Sequence, residues 1–234
     1  MEIFAHRGAS AIAPESTRAA IVAAVKAKAD GIELDVQMTK DRRLVIFHDD
    51  QLKRTTNGRG HLTKKTYPEL KKLDAGSWFD KQFSGEPILL ASQVFGLLPK
   101  KVAVNFELKR TPKRAMLISR VMRLLRRQGV SHRVLISSFD QRLLRPFAGT
   151  SFAYALIANH QPKRSLRRAI RLGCQAWHPR AGMVTPKLIN EAHAAGLKVR
   201  AWTVDELLLA RRLKRWGVDG IFTNDPKRLK RVLS

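Results

Sequence analysis

A single cysteine, Cys174, stands among the 234 residues, so no disulfide can form within the chain and a fold stapled by bridges is excluded. That usage fits a reducing compartment, and the thiol itself, placed in a β-type run, reads as an inert small hydrophobe. Long apolar runs are also missing: none approaches the roughly 18 residues that a membrane-spanning helix needs. The opening residues, MEIFAHRG, go straight into a strand and a polar motif. They lack the basic region, apolar run and small-residue cleavage site of a signal peptide. Together these absences predict a cytoplasmic protein. Acidic residues are scarce, with 19 Asp and Glu against 45 Lys and Arg for a net charge of +26. The few acids are not spread evenly. Residues 1–50 carry a net charge of −1, residues 51–107 +5 and residues 108–234 +22. A basic excess of this size points to anionic partners or to a solvated basic exterior.

What is present is ordinary globular material, 44% hydrophobic and 27% charged, in a length that suits one core. Short β-type runs alternate with amphipathic helical ones. The strands are expected at Ile3–Ala5, Ile32–Val36, Val102–Glu107, Val134–Ser137, Phe152–Leu156, Gln175–Trp177, Lys198–Trp202 and Gly220–Thr223. Helices are expected at Thr17–Ala29, at Met116–Gln128 with Gly129 beyond its end, and from Thr185-Pro186, an N-cap and first turn, to Gly196. Eight strands in βα alternation favour a closed parallel sheet, the (β/α)8 TIM barrel, as a single domain over residues 1–234. Two features break the pattern. The apolar run Leu44–Phe47 follows Val36 too soon for a parallel crossover and should turn back beside its neighbour or extend outside the barrel. Residues from about 50 to about 100 are polar and poor in periodicity, and read as an insertion after the second strand.

In barrels of this type the chemistry sits at the C-terminal strand ends. Those ends carry His6 and Arg7, Glu33 and Asp35, His48 and Asp49, and Glu107 and Lys109. Glu33 and Asp35 are two apart on a strand and share one face, as do Glu107 and Lys109. Three carboxylates converging at a barrel mouth stay ionised together only around a cation. An all-oxygen set of that number suits one divalent cation, Mg²⁺ or Ca²⁺. Arg7 and Lys109 supply a fork and a point charge for phosphate oxygens. The two histidines, His6 and His48, complete a general acid–base pair.

The segments HRGASAIAPEST (6–17), DGIELDVQMTKD (30–41), HDDQLKRTTNGRG (48–60), FELK (106–109), SSF (137–139), WTVD (202–205) and GVDGIFTNDP (217–226) resemble, in order and spacing, the glycerophosphodiester phosphodiesterase family. The specific part of the signal is HRG, then ELDV, then HD about 40 residues after the first histidine. The resemblance implies a metal-dependent hydrolase that releases glycerol 3-phosphate and an alcohol. It implies His6 and His48 as the acid–base pair, Glu33, Asp35 and Glu107 as metal ligands, Arg7 and Lys109 as phosphate contacts, and Trp202 as an aromatic wall near the glycerol. Four departures stand out. PENT becomes PEST, with Ser16 expected to cap the following helix as Asn would. TKDG becomes TKDR, PTLEE becomes PILLA (87–91), and WTVN becomes WTVD, which places Asp205 close to the pocket wall.

Two other functions compete. One keeps the chemistry and makes the protein a lysophospholipid headgroup hydrolase, docked by its basic helices on an anionic membrane. The other, from a different class, is a nucleic-acid-binding protein on a barrel scaffold. It rests on the +22 segment alone, without a binding motif, so nucleic acid is not an expected partner. The expected partner is the small glycerophosphodiester, with at most weak membrane contact through the basic helices. The remaining histidines, His61, His132, His160, His178 and His193, read as surface or core residues.

Overall fold

The computed structural model describes residues 1–130 and 133–233; His132 lies outside them. Chain order runs β1 (Glu2–His6), α1 (Arg18–Lys26), β2 (Gly31–Met38), β3 (Leu44–Ile46), α2 (Tyr67–Leu70), α3 (Val94–Leu97), β4 (Ala103–Leu108) and α4 (Arg114–Gln128). It continues with β5 (Val134–Ser138), α5 (Gln141–Leu144), β6 (Ala153–Ala158), α6 (Pro162–Arg171), β7 (Ala176–Pro179) and α7 (Pro186–Ala194). The last turn of the barrel is β8 (Lys198–Ala201), α8 (Leu207–Arg215), β9 (Gly220–Thr223) and α9 (Pro226–Leu233).

Eight of these strands pair in parallel in the order β1-β9-β8-β7-β6-β5-β4-β2, and β2 pairs back onto β1 to close the ring. This is the (β/α)8 TIM barrel, with each predicted strand found within two residues of its expected ends. The short β3 turns back antiparallel to β2 outside the ring, with Val36 opposite Ile46. Both faces of β2 are covered, so all eight of its residues are buried.

Local chemistry sets the helix ends. Thr17 caps α1 through its side chain, which accepts from the Ala20 N–H, and Thr185 caps α7 in the same way with Pro186 in the first turn. Helix α4 buries Leu117, Ile118, Val121 and Leu125, turns its arginines outward and stops at Gly129 in the left-handed conformation. The expectation for Ser16 needs correction. Thr17 is the cap, while Ser16 has a left-handed backbone (φ 63°) and a buried hydroxyl without a partner. Asn would occupy that backbone region more readily than Ser, without any capping role.

The stretch after β3 is held by its own small core of Val45, Phe47, Leu52, Leu62, Leu70, Ala75 and Ile88. Its latter part rejoins the barrel: Leu89, Ala91, Val94 and Leu98 belong to the main core, and Phe95 packs edge-on against Phe106 of β4. Burial pushes the Cys174 thiol up to about 12, so it stays a protonated apolar group. Among the described residues, no helix is long and apolar enough to cross a membrane.

Candidate active site

Strand register assembles the mouth. His6 lies beside Glu33 across β1 and β2, and Asp35 lies beside Glu107 across β2 and β4. Side chains two apart on β2 point into the barrel together, so Glu33, Asp35 and Glu107 offer oxygens that all lie within 4.8 Å of one another. Glu33 Oε1 and Asp35 Oδ2 are buried with no hydrogen-bond partner. Such orphaned carboxylate oxygens are costly inside a protein. The donor set is therefore hard, convergent and under-satisfied, which fits a divalent cation of the Mg²⁺ or Ca²⁺ type.

Electrostatics point the same way. Burial, then the neighbouring charges of Asp35 and Glu107, push the Glu33 carboxyl well above the usual carboxylate range. Glu107 is pushed up to about 7 by burial and by Asp35, against the pull of Lys109. Burial also works against charge on Asp35, but Lys109, Arg7 and the two histidines outweigh it and hold the group below its ordinary value. Lys109 Nζ bridges Asp35 Oδ1 at 3.2 Å and Glu107 Oε1 at 2.9 Å. Arg7 places Nε 3.4 Å from Asp35 Oδ2 and donates its backbone N–H to Glu33 Oε2 at 3.1 Å. Arg7 makes that second contact from a left-handed backbone (φ 57°), a strained conformation of the kind found at functional sites. Gly8 follows at φ 84°, where a Cβ would lie 2.7 Å from Ala20, so only glycine fits.

The two histidines are fixed by different partners. His6 Nδ1 lies 2.8 Å from Asn224 Oδ1. Asn224 in turn donates Nδ2 to Asp205 Oδ2 at 2.6 Å, so its Oδ1 accepts and His6 Nδ1 carries the proton. His6 Nε2 is then the bare nitrogen, 3.9 Å from Glu33 Oε2. His48 Nδ1 faces Asp49 Oδ1 at 2.6 Å, which also leaves Nε2 as the nitrogen for a substrate. Gln37 holds this loop, donating to the carbonyls of Phe47, His48 and Asp49. Burial lowers the pKa of both histidines, and Arg7 adds to the effect.

A cavity of about 220 Å³ joins His6, Arg7, Glu33, His48, Glu107, Lys109 and Trp202. All the predicted site residues thus lie around one space, apart from Asp35, which sits beneath it in contact with Arg7 and Lys109. Trp202 donates its indole N–H to the His178 carbonyl at 2.8 Å and meets Phe139 edge-on at 5.6 Å. The Trp202–Thr203 peptide is cis.

Several residues escape the reading of the sequence. Arg54, from the insertion, forks to Asp49 at 2.5 and 2.9 Å and to Glu15 at 2.9 and 2.8 Å. Glu15 also accepts from Arg7 at 3.0 Å, so the insertion braces both the His48 loop and the Arg7 loop. The Arg54 hydrogen bond lowers the Asp49 pKa far below normal. Asn224 follows β9 at a C-terminal strand end, the position that marks site residues in this fold. Asp205 does not line the cavity; it accepts from Thr223 Oγ1 and both nitrogens of Asn224. His178, read as a core or surface residue, lines the cavity fully buried, with Nε2 unpartnered and a pKa well below normal through burial. His193 pairs with Asp219, His61 with Gln51 and His160 with Asn159, away from the mouth.

The chain matches the model of the glycerophosphoryl diester phosphodiesterase family over residues 6–228. A glycerophosphodiester phosphodiesterase of Caldanaerobacter subterraneus subsp. tengcongensis is 37% identical over 231 residues, 97% of this chain and 95% of that protein. One from Bacillus altitudinis is 34% identical over 241 residues, covering 99% and 97%. Among solved structures, a phosphodiesterase of Oleispira antarctica in complex with its product sn-glycerol-3-phosphate superposes with a TM-score of 0.93 at 30% identity, covering 100% of this chain and 96% of that one.

Proposed function

Because the chain belongs to the glycerophosphoryl diester phosphodiesterase family and is a glycerophosphodiester phosphodiesterase, we propose that it cleaves these diesters with a divalent cation held by Glu33, Asp35 and Glu107 and with His6 and His48 as proton carriers. The observation that carries this reading is the set of three carboxylates within 4.8 Å of one another, two of them with orphaned buried oxygens. A bound Mg²⁺ or Ca²⁺ would polarise a phosphoryl oxygen and offset the charge that builds on it. Arg7 and Lys109, already aimed at the same space, hold the remaining phosphoryl oxygens. Trp202 walls the glycerol end of the cavity.

The partners of the two histidines support a division of roles between them. Burial, then the Arg7 cation, lower the His6 pKa against the pull of Asp35 and Glu15, and Asn224 holds the ring proton on Nδ1, so Nε2 is free to act as the base. It takes a proton from the attacking oxygen as that oxygen bonds to phosphorus; the attacker is water, or the glycerol 2-hydroxyl with a water then opening the cyclic ester so formed. His48 leans on the Asp49 carboxylate, which stabilises an imidazolium, and gives the proton to the leaving alkoxide as the phosphorus–oxygen ester bond breaks. Protons and electron pairs balance: one leaves the attacking oxygen, one reaches the alcohol. The relatives lend support to neither the lysophospholipid nor the nucleic-acid alternative.

The test is a direct assay of glycerol 3-phosphate release from glycerophosphoglycerol. Activity should vanish in chelator, return with Mg²⁺ or Ca²⁺, and fall at least a hundredfold in Glu107→Gln, on the order expected for loss of a ligand that fixes a catalytic charge. Full activity after exhaustive chelation would remove the cation from the account.

A further inference from the structure

Beyond Phe139 the mouth opens into a second cavity of about 600 Å³, which shares Glu107, Lys109 and Phe139 with the catalytic one. Its other charged lining residues are Arg110, Asp140, Arg142 and Arg168. A smaller recess of about 120 Å³ adjoins it and adds Arg164, four residues before Arg168 on α6. Neither carboxylate in this lining is free. Asp140 accepts from the Arg142 backbone at 3.0 Å, from its Nε at 2.8 Å and from its Nη2 at 2.8 Å. Glu107 is engaged by Lys109 at 2.9 Å and belongs to the proposed cation site. Arg110 and Arg168 have no ion-pair partner among the described residues, and Arg164 reaches only the neutral Gln161 side chain at 3.3 Å. Like charges four apart on a helix repel, so α6 carries a local cost that an anion would relieve.

The catalytic cavity, at about 220 Å³, is smaller than the roughly 300–1,000 Å³ that holds a drug-sized ligand. It has room for a phosphorylated glycerol and leaves the alcohol of a larger diester outside it. Lys109 and Phe139 line both spaces, so the arginine-lined cavity lies directly beside the catalytic one.

Resting on the hydrolase reading above, we infer that this outer cavity receives the leaving alcohol and favours alcohols that carry a further phosphate group. Guanidinium forks match phosphate oxygens in pairs, and Arg110 and Arg168 in the cavity, with Arg164 in the adjoining recess, provide more than one such fork. A cationic headgroup such as choline finds no free carboxylate there and meets the same field with the opposite sign.

Glycerophosphoinositol 4-phosphate and glycerophosphoinositol form a matched pair that differs only in the added phosphate. At low ionic strength kcat/KM should favour the phosphorylated ester about tenfold, the scale of one net charge-assisted hydrogen bond. Glycerophosphocholine should be the poorest of the three. In the Arg110→Ser, Arg168→Ser double variant the preference should shrink to within about twofold, while kcat/KM for the unphosphorylated ester stays within about twofold of wild type. Arg110 is exposed and Arg168 half-buried, neither in the core, so the fold tolerates their loss. A wild-type ratio at or below one, or a preference that survives the double substitution, overturns the inference while leaving the hydrolase intact. Failure to cleave either ester overturns this inference, and failure to cleave glycerophosphoglycerol as well overturns the hydrolase reading with it.

Discussion

Removing the cation should make the barrel lose stability in one pH window and no other. Glu107 has a pKa of about 7 in the folded chain against an ordinary 4.5, because burial and Asp35 disfavour its charge. A carboxyl whose folded pKa is raised binds its proton better when folded. Metal-free stability therefore falls as pH rises from about 4.5 to about 7 and levels off above that. At 1.36 kcal/mol per pH unit, keeping Glu107 ionised at pH 8 costs about 3 kcal/mol, and the raised pKa of Glu33 acts in the same direction. A divalent cation at the triad removes this cost by favouring the charged forms. For a domain of this size about 3 kcal/mol corresponds to roughly 6–12 °C in Tm. The assay is thermal unfolding in chelator and in millimolar Mg²⁺ or Ca²⁺, at pH 5 and at pH 8. The three histidines with lowered pKa values, His6, His48 and His178, also make stability depend on pH below about 6.5. Their effect is common to both conditions, so the difference between cation and chelator at each pH is the quantity to read. That difference should be large at pH 8 and small at pH 5, where protons compete for the same oxygens. Equal differences at the two pH values, or none at either, would refute the reasoning.

His6→Ala and His48→Ala should each lower kcat by about 10²–10⁴ with the unfolding temperature nearly unchanged, as measured by product release and by calorimetry; retention of more than about a tenth of kcat in either removes that residue from the proton path. Arg54→Ala should lower kcat by about tenfold with little change in KM, because Asp49 and Glu15 lose the fork that holds the His48 and Arg7 loops. Arg54→Lys should recover only part of it, since one ammonium cannot fork to both carboxylates.

The barrel was legible because alternating strands and amphipathic helices leave few topologies, and because Leu44–Ile46 follows β2 too closely for a parallel crossover; of the two courses left to it, it turns back beside β2. The central site was legible for a related reason: residues two apart on a strand share a face, so Glu33 with Asp35 and Glu107 with Lys109 announce themselves. What stayed hidden depends on contacts between distant segments. Nothing local tells Arg54 that it will meet Glu15, 39 positions away, or Asn224 that it will orient His6, 218 positions away. His178 sits in a short buried strand, where sequence alone cannot separate a cavity wall from packing. The insertion looked structureless because its helices are single turns, too short to show a period, while its order comes from a seven-residue core. Ser16 misled because a polar residue before a helix suggests a cap, and the left-handed turn that moves the cap to Thr17 has no sequence period at all.

The central claim is that Glu33, Asp35 and Glu107 hold one cation on which the hydrolysis depends. Anomalous diffraction from a crystal soaked in Mn²⁺ and glycerol 3-phosphate tests it most directly. The account predicts a single strong peak at the barrel mouth, about 2.0–2.6 Å from an oxygen of each carboxylate, with Lys109 Nζ withdrawn from Glu107 toward the phosphate. An empty mouth at saturating Mn²⁺, with Lys109 still bridging Asp35 and Glu107, would contradict it.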